Sequence, residues 1–68
     1  MERLDSTEIG RRLADLRGDR TQQEVADALG VGVSTIGMYE RGERIPKDEI
    51  KVELANLYGK TVQQIFFD

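Results

Sequence analysis

Apolar residues recur along the chain at helical spacing, in five short groups set apart by glycine, proline and capping residues. In the first, Ile9, Leu13 and Leu16 stand at i, i+4 and i+7 on one helix face, with Ser6 placed to cap it and Gly18 to stop it. The second opens on Thr21, with Glu24 three residues later as a capping box, and runs through Val25, Ala28 and Leu29 to Gly30. Gly32 or Ser34 then opens a third helix, whose inward stripe is Ile36 and Tyr39 and whose stop is Gly42. Beyond the proline-containing loop "ERIPK", Asp48 caps a fourth helix. It turns Ile50, Leu54 and Leu57 inward, joined by Val52 or Tyr58, and ends at Gly59. Thr61 and Gln64 repeat the capping box ahead of Val62, Ile65, Phe66 and Phe67. No stretch keeps a period of two. The pattern predicts an all-α, five-helix fold in a single domain over residues 1–68, with 1–5 as an N-terminal arm and 61–68 as the closing helix.

Composition narrows what such a domain can do. A chain of 68 residues buries only about 60% of its unfolded surface, so its core is small and self-association is the remaining support. Cysteine and histidine are both absent. That excludes disulfides, thiolate chemistry, the usual zinc sites and imidazole catalysis, so no metal or cofactor is expected. No apolar run approaches the roughly 18 residues of a membrane span, and "MERLDSTE" lacks the apolar core of a signal peptide, which predicts a soluble, cytoplasmic protein. Thirteen carboxylates could in principle supply an acid–base pair, yet no nucleophile–base arrangement is visible. The reading is therefore not an enzyme.

The second and third helices, 22–29 and about 33–41, are joined by a tight glycine-containing turn. Two such short helices must cross steeply, the arrangement in which the second is set into the DNA major groove. With Ile36 and Tyr39 inward, the opposite face shows Val33, Ser34, Gly37, Met38 and Arg41. Gly37 weakens a helix by roughly 1 kcal/mol relative to alanine. At the centre of an outward face its missing side chain would let the helix sit deeper in a groove; the plainer account is a tolerated surface glycine. Val33 and Met38 can meet thymine methyls, and Ser34 can hydrogen-bond to either kind of base edge.

On these residues the chain resembles a known family. Residues 9–66, through "IGRRLADLR", "TQQEVADALGV", "STIGMYERGERIP" and "LANLYGKTVQQIF", are similar to the phage-repressor and Cro-type helix-turn-helix domains of bacterial and phage transcriptional regulators. The resemblance implies a compact five-helix repressor-like fold and double-stranded DNA as the partner. It places Val33, Ser34 and Met38 on bases, beside Gly37. It places Gln22, Thr35, Arg41, Arg44 and Lys47 on phosphates, Thr35 within reach of a base as well. It also implies a buried structural ion pair between Arg17 and Glu40. Two departures stand out. The link "GDR" between the first two helices is short, and the recognition face lacks the glutamine, asparagine or arginine commonly found there, which shifts readout toward methyl contacts and DNA shape.

The net charge of −3 runs against a nucleic-acid partner, since most binders carry a basic footprint. Locally the balance differs. Residues 31–47 set Arg41, Arg44 and Lys47 against Glu40 and Glu43, a sum of +1, and the acidity lies elsewhere. Arg11, Arg12 and Arg20 read as solvated surface charges. Val62, Gln63 and Phe67 mark a seam for a two-fold homodimer, which would suit a palindromic operator with half-sites about 34 Å apart. With no further domain visible, repression by operator occlusion is the simplest regulatory reading. The alternative is a protein-interaction module, antitoxin-like or anti-repressor, favoured by the apolar Val33 and Met38 and by the acidic total.

Overall fold

Three of the five helix starts, those of the first, second and last helices, are closed by a side-chain cap that the local sequence supplies. The computed structural model describes residues 4–67. Over these the chain forms α1 (Ser6–Arg17), α2 (Gln22–Leu29), α3 (Val33–Glu40), α4 (Asp48–Tyr58) and α5 (Val62–Phe66), with no β-strand among the described residues. Thr21 and Thr61 close the two predicted capping boxes. The Thr21 hydroxyl accepts from the Glu24 amide at 3.0 Å while the Glu24 carboxylate accepts from the Thr21 amide at 2.8 Å. Thr61 and Gln64 do the same at 3.1 and 2.9 Å. Gly30 and Gly59 end α2 and α4 in the left-handed region, at φ 71° and 67°.

Four expectations shift, and one alternative is decided. The cap of α1 is Asp5, whose carboxylate accepts from the Glu8 amide at 2.9 Å, so Ser6 is the first helical residue. Lys47 is extended and precedes α4, which leaves Asp48 inside the first turn, where its charge complements the helix dipole. On α2 the inward alanine is Ala26, fully buried, whereas Ala28 is exposed. Of the two alternatives on α4, Tyr58 packs against the core and Val52 faces outward. The closing helix covers only Val62–Phe66, because Phe67 is already extended.

The core gathers one stripe from every helix: Ile9 and Leu13, Val25 and Ala26, Ile36 and Tyr39, Leu54 and Ala55, Ile65 and Phe66. Phe66, Ile9, Leu13, Leu54, Ile65 and Val25 are fully buried, each worth roughly 1.5–3 kcal/mol of transfer free energy before chain entropy is counted. Helix α3 packs on both α1 and α2. Its approach to α1 is close because Gly10 has no side chain: a Cβ there would stand 2.8 Å from the Tyr39 carbonyl oxygen and from the Glu40 carbonyl carbon.

Residues 1–3 of the expected N-terminal arm lie outside the described residues. Leu4 and Asp5 are not a free arm: Leu4 packs against the core and its amide donates to the Phe66 carbonyl at 3.4 Å, while Asp5 caps α1. Arg12 and Arg20 are not simple surface charges either. Arg12 donates to the carbonyls of Gln64 and Phe67 at 2.8 and 3.3 Å, and Arg20 to that of Leu57 at 3.5 Å with its guanidinium over the Tyr58 ring. Each meets helix-end carbonyls that have no partner within their own helix. Among the described residues no helix is long and apolar enough to cross a membrane.

Candidate nucleic-acid interface

The turn between α2 and α3 redirects the chain within three residues, Gly30 to Gly32. Gly30 adopts the left-handed conformation, the Val31 amide donates back to the Ala26 carbonyl at 3.0 Å, and Val31 packs against the core. Gly32 is extended, and its carbonyl accepts from the Thr35 and Ile36 amides at 3.1 and 3.4 Å, which starts α3 in its new direction. With Ile36 and Tyr39 buried, the geometry of the helix assigns the outer stripe. Ser34, Gly37, Met38 and Arg41 recur at i, i+3, i+4 and i+7, and Val33 flanks them.

Most of the expected base-reading residues are accessible. Val33 is 40% exposed, Ser34 is exposed and Met38 is half-buried. Gly37 is not open to solvent as expected. It is buried, because the Arg41 side chain lies back over it: a Cβ at Gly37 would meet Arg41 Nη1 at 2.8 Å. Long helical side chains lean toward the helix N-terminus and cover the preceding turn, which is where Gly37 sits relative to Arg41. Arg41 in turn is held by Glu43, through Nε to Oε2 at 3.0 Å and Nη2 to Oε1 at 3.2 Å. These bonds hold the Glu43 carboxyl below the ordinary carboxylate range. Glu43 is itself positioned by its amide, which donates to the Met38 carbonyl at 2.9 Å.

Around this stripe lie the expected phosphate contacts. Thr35 is half-buried, and Arg44 and Lys47 are exposed, with no ion-pair partner within 4 Å among the described residues. Gln22 opens α2 but is not wholly available. One hydrogen of its amide group donates to Glu40 Oε1 at 2.9 Å, which leaves the second hydrogen and the amide oxygen for another partner. Glu40 is therefore a hub. Arg17 grips it bidentately, Nε to Oε2 at 2.8 Å and Nη2 to Oε1 at 3.1 Å, and that hydrogen bonding raises the Arg17 pKa above its ordinary value against the opposing cost of desolvation. The expected ion pair of α1 and α3 is present, and the link onward to Gln22 on α2 is an addition the sequence reading missed. No local pattern announces a bond between residues 18 positions apart.

Of the expected seam residues, Gln63 is exposed, whereas Val62 and Phe67 are half-buried and pack partly against the core. Phe67 does not project from α5 as its position beside Phe66 suggested; the chain is extended there and folds it back. The described residues hold no cluster suited to a metal ion.

Residues 11–65 match the helix-turn-helix family. The chain belongs to that family. As a helix-turn-helix domain it bears out the resemblance to repressor and Cro-type domains read from "TQQEVADALGV" and "STIGMYERGERIP". Among curated proteins it is similar to the cryptic phage CTXphi transcriptional repressor RstR of Vibrio cholerae, 39% identical over 59 residues, which take in 84% of this chain and 53% of the repressor. It is also similar to the HTH-type transcriptional regulator ImmR of Bacillus subtilis (strain 168), 36% identical over 53 residues, 75% of this chain and 42% of the regulator. The chain thus spans about half the length of the curated relatives it matches. No solved structure matches it. The family is one of non-enzymatic DNA-binding regulators.

Proposed function

We propose that this helix-turn-helix domain binds double-stranded DNA sequence-specifically, with α3 in the major groove, and regulates transcription by occluding an operator. The observation that carries the proposal is the exposed stripe of α3, held outward by buried Ile36 and Tyr39 and by the turn at Gly30. Val33 and Met38 supply apolar contact to thymine methyls and Ser34 a hydroxyl for a base edge. Gln22, Thr35, Arg44 and Lys47 take phosphates on either side and fix the register. Repression and transcription regulation, the roles named for the two relatives, support the regulatory half of the reading.

Anisotropy titration against a duplex from upstream of the gene, with bulk DNA as competitor, tests the claim. The upstream duplex should win at moderate salt. Arg44→Ala should weaken all duplexes alike and lower the slope of log K against log salt by about 1, the mark of one lost phosphate contact. If no duplex is preferred over bulk DNA, sequence-specific recognition is ruled out.

The same reading makes the active species a two-fold homodimer joined at Val62, Gln63 and Phe67, which leaves both α3 helices clear for adjacent half-sites. Sedimentation equilibrium should show a mass that doubles with concentration, and Gln63→Glu, which places like charges across a two-fold axis, should shift the transition to higher concentration. A mass that stays monomeric throughout removes the seam.

A further inference from the structure

We infer that Arg41 is the specificity-determining residue of the groove face, a guanine reader seated on Gly37 and aimed by Glu43, rather than a phosphate contact. The inference rests on the major-groove reading above and goes further by naming the base. Three observations carry it. Arg41 falls on the outer stripe of α3, seven residues after Ser34, and its guanidinium lies over Gly37 in the middle of that stripe. The bond partners of its fork are settled: Nε and Nη2 face the Glu43 carboxylate at 3.0 and 3.2 Å. Glu43 is itself placed by the backbone bond from its amide to the Met38 carbonyl, and Gly42 before it packs against the start of α1, where a Cβ would stand 2.9 Å from the Thr7 Cα.

A guanidinium has five N–H donors in a rigid plane. With the Nε–Nη2 edge engaged, three donors remain, and two of them lie side by side on the distal Nη1–Nη2 edge. Two parallel donors match the O6 and N7 acceptors that guanine alone presents in the major groove. The pair with Glu43 is exposed, 58% and 55% for the two side chains, so it adds little to folding. Its effect is on orientation, since it biases a long side chain toward one geometry before DNA arrives. It also lowers the net charge offered to the backbone at this point, which disfavours a phosphate role. Gly37 then has a defined purpose. Its missing side chain is the space the guanidinium occupies.

The experiment compares base preferences, selected from a pool of randomised duplexes, for the full chain and three variants, with thermal melting to establish that each is folded. Gly37→Ala is the decisive one. Its Cβ would displace only the far end of a flexible side chain, and alanine suits a helix interior better than glycine, so the variant should melt no lower than the parent. It should nevertheless lose preference at one G·C pair per half-site by about tenfold or more, the weight of one bidentate contact. Arg41→Lys should lose the same pair, because a point charge cannot reproduce the fork. Glu43→Gln should raise affinity for bulk DNA by removing a negative charge while the guanine preference falls, two changes of opposite sign. A phosphate role gives different results: Arg41→Lys would leave the preference profile intact, and Glu43→Gln would strengthen every duplex in parallel. Either of those overturns the inference alone. A parent chain that prefers no duplex removes the proposed function and this assignment with it.

Discussion

Gly10→Ala is expected to lower the unfolding free energy by about 2 kcal/mol and to weaken any binding that depends on the placement of α3. The added Cβ would stand 2.8 Å from the Tyr39 carbonyl oxygen and the Glu40 carbonyl carbon, and the Glu40 carbonyl oxygen lies closer still. Every obstacle is backbone, so no side chain can turn aside. The helices must separate, and overpacking costs about 1–3 kcal/mol, here at the upper end because nothing flexible can yield. The better helix propensity of alanine offsets about 1 kcal/mol of it. A domain of this size has a total of roughly 3–10 kcal/mol to lose, at about 0.05–0.15 kcal/mol per residue. Denaturant unfolding followed by circular dichroism should show the midpoint falling with an unchanged slope. The contrast with Gly37→Ala is the sharper control, since the same exchange is expected to be neutral or stabilising there. A Gly10→Ala protein more stable than the parent would mean that propensity decides and that α1 and α3 are not in backbone contact.

The two glycines also show what the sequence could and could not convey. Helix number, the two capping boxes and the stops at Gly30 and Gly59 follow from residues within four positions of one another, and all of them were legible. So were Ile36 and Tyr39 as the inward side of α3, because the helical period alone sorts them. The close approach at Gly10 depends on residues about 30 positions away, and the reading passed it over. Gly37 was placed on the correct stripe, but its burial depends on the rotamer of Arg41, which periodicity does not specify. Arg12 and Arg20 read as solvated because the carbonyls they meet, at Gln64, Phe67 and Leu57, come near only in the folded chain. Asp5 outcompetes Ser6 for the first cap although both side chains suit it, and the hydrogen bond to the Glu8 amide decides between them.

Glu40→Ala should have the larger consequence, a loss of about 3 kcal/mol with the arrangement of all three N-terminal helices disturbed. The Glu40 side chain is 8% exposed and its carboxylate is shared between Arg17 on α1 and Gln22 on α2. Removing it strands both donors together. Breaking one side of a buried pair costs about 3–5 kcal/mol; Arg17 at 24% exposure can turn part of its fork to water, which sets the expectation at the lower end. Glu40→Gln should lie between the two, since an amide oxygen still accepts from Arg17 while the charge is gone. A double-mutant cycle with Arg17→Met separates the pair from the rest: the coupling should exceed about 1 kcal/mol, above what exposed ion pairs show. A second cycle with Gln22→Ala isolates the share of Gln22, which bears directly on recognition. Released from Glu40, the Gln22 amide can swing freely, so phosphate contact at the start of α2 should weaken even where folding is restored by lower temperature. A cost below about 1 kcal/mol for Glu40→Ala, with binding intact, would show that the three helices are held by their apolar stripes alone.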